Sequence, residues 1–206
     1  MSIIKLNNKA VSNATAFGSI SSLGSMTFIK KLTASSSATL SFVDGSDGVV
    51  LDDTYKEYVF TFNNIHAATD NVEFIFNFSI DGGSNYNVVK TTTYVQAYHK
   101  EDDAAANVVY QSGGDLAQST SFQELVRRCG NSNDENSSGI LHLFNPSSDT
   151  FVKHFITDFN TNTYHDYCNR DLVAGYGNTT SAVNAIRFQM SSGNIDAGDI
   201  CLYGIA

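Results

Sequence analysis

The chain has 206 residues, of which 42% are hydrophobic and only 16% charged, and 12 Lys+Arg against 21 Asp+Glu leave a formal charge of −9. With 14 Phe, 10 Tyr, 15 Gly, no Trp and one Pro, and with Ser, Thr and Asn abundant, the composition favours strands and turns over helices. It excludes a coiled coil, a collagen-like rod and a disulfide-dense miniprotein, and the acidic balance, with Lys30-Lys31 and Arg127-Arg128 as the only tight basic pairs, argues against a nucleic-acid partner.

Residues 1–25 are poor in large apolar groups and rich in Ser, Asn, Ala and Gly. Such a segment buries too little to fold on itself, so it reads as an extended arm that docks on another surface. Neither a signal-peptide-length apolar run nor a stretch approaching a membrane span is present. The chain is therefore expected to fold in a reducing cytoplasm and to have no membrane partner.

Strand signals begin at 26–33 and 38–43. Residues 57–65 alternate, with Tyr58, Phe60 and Phe62 on one face. The strongest alternation is 72–80, where Val72, Phe74, Phe76, Phe78 and Ile80 fall on one side and Glu73, Ile75, Asn77 and Ser79 on the other. A period of two predicts a half-buried strand. Asp81-Gly-Gly-Ser-Asn-Tyr86 then reads as a hairpin turn, with a return strand over 87–99 that places Tyr94, Gln96 and Tyr98 together. Residues 100–107 form a charged loop. A strand follows at 107–111. Ser121 to Arg128 has capping-box spacing but, amid so much β signal, leans towards strand. Further strands are expected at 140–145, 151–159, 163–169, 183–190 and 199–205. Short strands bounded by turn residues predict an all-β, antiparallel two-sheet sandwich, jelly-roll-like, as one domain over 26–206 behind the N-terminal arm.

Chemistry leaves little signature. There is no GxSxG elbow, no P-loop and no GxGxxG after a strand, and Gly175-Tyr-Gly177 reads as a turn. Of His66, His99, His142, His154 and His165, the pair His142 and His154 lies on neighbouring strands and His165 adjoins Asp166. Neither arrangement has metal-ligand spacing, so these read as surface or hydrogen-bonded histidines. Asp44, Asp47, Asp52 and Asp53 make an oxygen-rich stretch of the kind that can hold Ca²⁺, but without the EF-hand pattern, and an ordinary polar turn is the preferred reading. Glu101-Asp102-Asp103 reads as a solvated charge run. Tyr94, Tyr98, Tyr110, Tyr164, Tyr167 and Tyr176 offer rings to a sugar, although half-buried packing is the commoner use of strand tyrosines. The glutamates Glu57, Glu73, Glu101, Glu124 and Glu135 single out no glycosidase pair. Cys129, Cys168 and Cys201 are too far apart for a local zinc signature and are expected as reduced, mostly buried thiols. No catalytic, cofactor-binding or metal-ligating residue is assigned, and no cofactor is expected.

Several segments carry a family likeness: Ser2 to Val11 (SIIKLNNKAV), the stretch Phe74 to Tyr86, Gly139 to Ser148 (GILHLFNPSS), Phe151 to Phe155, Ala174 to Phe188, and Ser192 to Gly204. Together they resemble small virion-associated proteins of tailed bacteriophages, especially marine ones. The resemblance implies a β-sandwich virion component rather than an enzyme, either decorating the capsid or associated with the tail or fibre. The three cysteines depart from that pattern. The expected partners are other virion proteins, a major capsid or tail protein met through the arm, and copies of the chain itself in a symmetric homo-oligomer, a trimer foremost. A carbohydrate-binding module of a phage appendage, recognising a host-surface glycan, is the alternative.

Overall fold

Period-two alternation puts large apolar side chains on one side of each strand, and two such surfaces pressed together make a sandwich. The computed structural model describes residues 26–206. The arm expected over residues 1–25 lies outside the described residues. The strands are β1 (Met26–Thr33), β2 (Leu40–Val43), β3 (Glu57–Ala67), β4 (Val72–Ser79), β5 (Lys90–Lys100), β6 (Ala106–Tyr110), β7 (Gln123–Cys129), β8 (Ser137–Phe144), β9 (Lys153–Asn162), β10 (Tyr167–Gly177), β11 (Ala185–Met190) and β12 (Ile195–Ile205). There is no helix among the described residues.

One sheet has eight strands in the order β1-β12-β3-β8-β9-β10-β5-β6, the other four in the order β2-β11-β4-β7. All the strand pairs are antiparallel. Each small-sheet strand is preceded and followed in sequence by strands of the large sheet, the jelly-roll-like traffic expected from the sequence. The ambiguous segment around Gln123 is strand β7.

The core is phenylalanine-rich. Phe74, Phe76 and Phe78 are fully buried. Phe188 on β11 sits at the centre, its ring 5.6 Å from Phe60, 5.1 Å from Phe62 and 6.2 Å from Phe76. Phe155 and Phe159 on β9 close the opposite side, 5.0 Å from Phe76 and 4.9 Å from Phe62. Each such side chain withdrawn from water contributes about 1.5–3 kcal/mol, and edge-to-face packing adds specificity. The exposed edge strand β1 carries Lys30 and Lys31, charges that discourage pairing with another strand.

Four expectations are corrected. Residues 81–86 do form a turn, with φ of +70° at Gly82 and +83° at Gly83, but not a hairpin. β4 pairs with β11 and β7, whereas β5 pairs with β10 and β6, so the segment is a crossover between sheets. Local turn chemistry made the turn legible, but the partner of β4 comes from a hundred residues away. Second, Ile80 is not on the buried face, because β4 ends at Ser79 and Ile80 is left exposed. Third, Gly175-Tyr-Gly177 is not a turn but the end of β10, where Gly175 lies so close to Thr91 and Thr92 that a Cβ would meet the Thr91 carbonyl at 2.7 Å. Fourth, only Cys129 of the three thiols is buried, since Cys168 and Cys201 sit on the outward side of their strands.

Four strands cannot cover eight. Along the edge of β5 beyond β6, residues 111–119 continue the backbone pairing, and Gly114 lies against the Tyr94 ring. There the Leu116 and Ser119 carbonyls accept from the Thr92 and Lys90 amides, and the Gln123 amide donates to the Gly114 carbonyl at 2.7 Å. This part of the interior is therefore polar.

Candidate functional site

Inward-facing positions of β5 and β10 carry Tyr94, Gln96, Asn169 and Asp171, all buried. The Asp171 Oδ1 accepts from Tyr94 Oη and from Gln96 Nε2, both at 2.7 Å. Gln96 Oε1 accepts from Gln111 Nε2, and Gln111 Oε1 accepts from Arg127 Nη1, each at 2.8 Å. Arg127 Nε lies 3.1 Å from Glu124 Oε2, an ion-pair separation without hydrogen-bond alignment. The second oxygen of Asp171 has no partner among the described residues. Burial pushes the Asp171 carboxyl up to about 6, and burial likewise raises Glu124 and the Tyr94 phenol.

Above this network, near the β6 edge, a cleft of about 300 Å³ opens among Tyr98, Tyr167, Asn169, Arg128, Gln111 and Gln96. Its shape comes from backbone irregularity. Between Val126 and Cys129, β7 has two residues where β4 has one, and Arg128 sits at φ +60°. That bulge, which bends its strand and re-aims side chains, gives Arg127 to the buried network and Arg128 to the rim. The Tyr98 and Tyr167 rings meet edge to face at 5.6 Å. Gln96 and Gln111 are locked by their mutual bond. Asn169 is only 3% exposed, yet its side-chain amide, like the Tyr98 and Tyr167 hydroxyls, makes no hydrogen bond to the described residues.

A second surface lies on the outward face of the eight-stranded sheet. Register places Phe28 against Tyr203, Tyr203 against Val59, Val59 against His142, His142 against Ile156 and Ile156 against Ala174. A parallel row runs Ile140, Asp158, Leu172, Val95 and Tyr110. Phe28 is 58% and Ile156 51% exposed, and Ile140, Leu172 and Val95 are also exposed. Asp158 is neutralised by Arg170, which donates to both its oxygens at 3.0 and 2.6 Å. Near Ile156, Phe144, Tyr176 and Gly175 the face dips into a shallow apolar depression of about 470 Å³. The first row is interrupted by buried Val59 and by His142, which faces Glu57, so the exposed apolar side chains form a patch rather than a continuous stripe, and such a patch marks an interaction surface.

The residues singled out from sequence are dispersed. His142 faces Glu57, with Nδ1 and Oε1 2.5 Å apart, while His154 packs on Tyr176 instead. His165 stacks on Tyr164, its neighbour Asp166 being a turn residue at φ +60°. His66 contacts the Ser132 carbonyl and His99 contacts Asp103. In the acidic stretch, Asp44 accepts from the Leu51 amide, Asp52 from the Thr54 amide, and Asp47 pairs with Lys30. The carboxylates serve turns rather than a shared centre, and no group of three His, Cys, Asp or Glu is placed to hold a metal among the described residues. Of the tyrosines, Tyr98 and Tyr167 come together at the cleft, Tyr94 is buried beneath it, and Tyr110 donates to Asp115. Gln111, Arg128, Asn169 and Asp171 carried no motif. The shared face of Tyr94, Gln96 and Tyr98, and Tyr167 among the candidate rings, pointed towards this place. No protein-family model, curated protein or solved structure matches the chain.

Proposed function

We propose that this chain is a non-enzymatic structural protein of a tailed-bacteriophage particle, made in the host cytoplasm and incorporated as a capsid-decoration or tail- or fibre-associated component. It assembles as a symmetric oligomer, a trimer being the expected form, with residues 1–25 engaging a neighbouring capsid or tail protein. The reading is supported by the likeness of six sequence segments to phage virion proteins and by the β-sandwich body. The observation that carries it is the set of exposed apolar side chains on the outer face of the large sheet, Phe28, Ile140, Ile156, Leu172 and Val95, spread over β1, β8, β9, β10 and β5. In a chain of net charge −9, general repulsion between copies opposes random association, so exposed apolar side chains among which Asp158 is paired with Arg170 concentrate attraction in one place. Other copies of the chain supply a matching surface through symmetry.

The test is to locate the chain in purified particles of the phage that encodes it. Peptides of the chain should co-purify with particles through a density gradient, and an antibody against it should label a repeated position on the head or tail. Recovery only from the soluble fraction of the lysate would reject the proposal.

A further inference from the structure

The geometry points to a saccharide-binding site in the cleft between Tyr98, Tyr167 and Asn169, separate from the assembly face on the other side of the sheet. An amide whose residue is almost wholly buried, whose polar atoms face a cleft and which has no partner among the described residues is held in place to exchange hydrogen bonds with whatever occupies the cleft, water or ligand. Asn169 is such a group. Around it the cleft presents donors and acceptors together: the Asn169 amide, the Tyr98 and Tyr167 hydroxyls, and the edges of Gln96 and Gln111. Sugar hydroxyls, which both donate and accept, match such a lining, and the tyrosine rings give the C–H faces of a sugar an apolar surface.

Other ligand classes fit less well. An apolar ligand would leave Asn169 unpaired. A small multivalent anion would meet one lining cation among the described residues, Arg128, with the buried carboxyl of Asp171 and the half-buried carboxyl of Glu124 nearby. A volume of about 300 Å³ is at the small end of ligand pockets, which suits a mono- or disaccharide unit at the end of a glycan. The lining is also held in place before any ligand arrives, because the Gln96–Gln111–Arg127 chain fixes the two glutamines from behind. Such preorganisation lowers the ordering cost of binding.

The experiment uses the full chain on an array of defined bacterial surface glycans, followed by titration calorimetry with each oligosaccharide that binds. Asn169→Ala and Tyr98→Phe each remove one hydrogen-bonding group while keeping the fold, since neither group has a partner among the described residues, and thermal melts establish that both variants are folded. Each is expected to weaken binding about tenfold or more, and Phe151→Ser, an exposed position before β9 and outside the cleft lining, is expected to leave it unchanged. A flat array with folded protein overturns the proposal. So does binding that persists undiminished in both cleft variants, or binding that Phe151→Ser abolishes.

Discussion

Lys90 offers a test of the interior that needs no ligand. It is fully buried at the start of β5, its Nζ donating to Asn77 Oδ1 and to the Val88 carbonyl at 3.0 Å. Both partners are neutral. Burial drives the ammonium from its ordinary 10.5 down to about 7. At about 1.36 kcal/mol per pH unit, that displacement means roughly 4–5 kcal/mol against the charged form in the fold. The unfolded chain keeps this proton up to about pH 10.5, whereas the folded chain releases it near pH 7. Stability from this group therefore rises with pH across that window and is least below it. Lys90→Met keeps an unbranched side chain and removes the charge. Asn77 Oδ1 retains the Phe78 amide at 2.8 Å, while the lost bond to the Val88 carbonyl costs about 1–3 kcal/mol. The variant should thus exceed the parent by about 2 kcal/mol below pH 7, and the gap should shrink by about 1 kcal/mol per pH unit from pH 7 to pH 9. Urea unfolding followed by tyrosine fluorescence measures it, and other titrating groups cancel in the difference. A gap independent of pH would refute the reasoning.

Two further outcomes follow from the same interior. Asp171→Asn replaces the unpartnered oxygen by an amide and keeps an acceptor for Tyr94 and Gln96. Because the folded carboxyl holds its proton up to about pH 6, parent stability falls as pH rises from about 4 to about 6, so the variant should gain up to about 3 kcal/mol above pH 6 and nothing below pH 4. Urea titrations at the two pH extremes check this. Among the thiols, Cys168 is exposed while Cys129 is buried, with its thiol pushed up to about 12 by burial. Thiol-reactive dye should label Cys168 first in native protein and Cys129 only on unfolding, as read by peptide mass mapping.

The sandwich was legible because Phe74, Phe76 and Phe78 repeat at the strand period, and a one-residue slip would turn all three into water. The crossover at 81–86 was not, since Gly82 and Gly83 specify a turn without specifying which strand comes to pair with β4. The cleft was legible only in the shared strand face of Gln96 and Tyr98 and in Tyr167. Arg128 reaches it through a bulge, Gln111 through a loop that continues the pairing along β5, and Asn169 through register with β5. None of these leaves a short-range pattern. Lys90 reads in sequence as one more surface lysine. Its burial arises because the loop after β4 folds back over Asn77, which donates to the Tyr86 and Thr120 carbonyls, both at 2.9 Å.

Sedimentation velocity of the full chain over a wide concentration range, beside the double variant Ile156→Lys, Leu172→Lys, bears most directly on assembly through the outer face. Both side chains are exposed, so the variant folds as the parent does. The parent should sediment as one discrete oligomer and the variant as a monomer with an unchanged melting curve. A parent that stays monomeric at every concentration, or a variant that assembles equally well, would contradict the role given to that face.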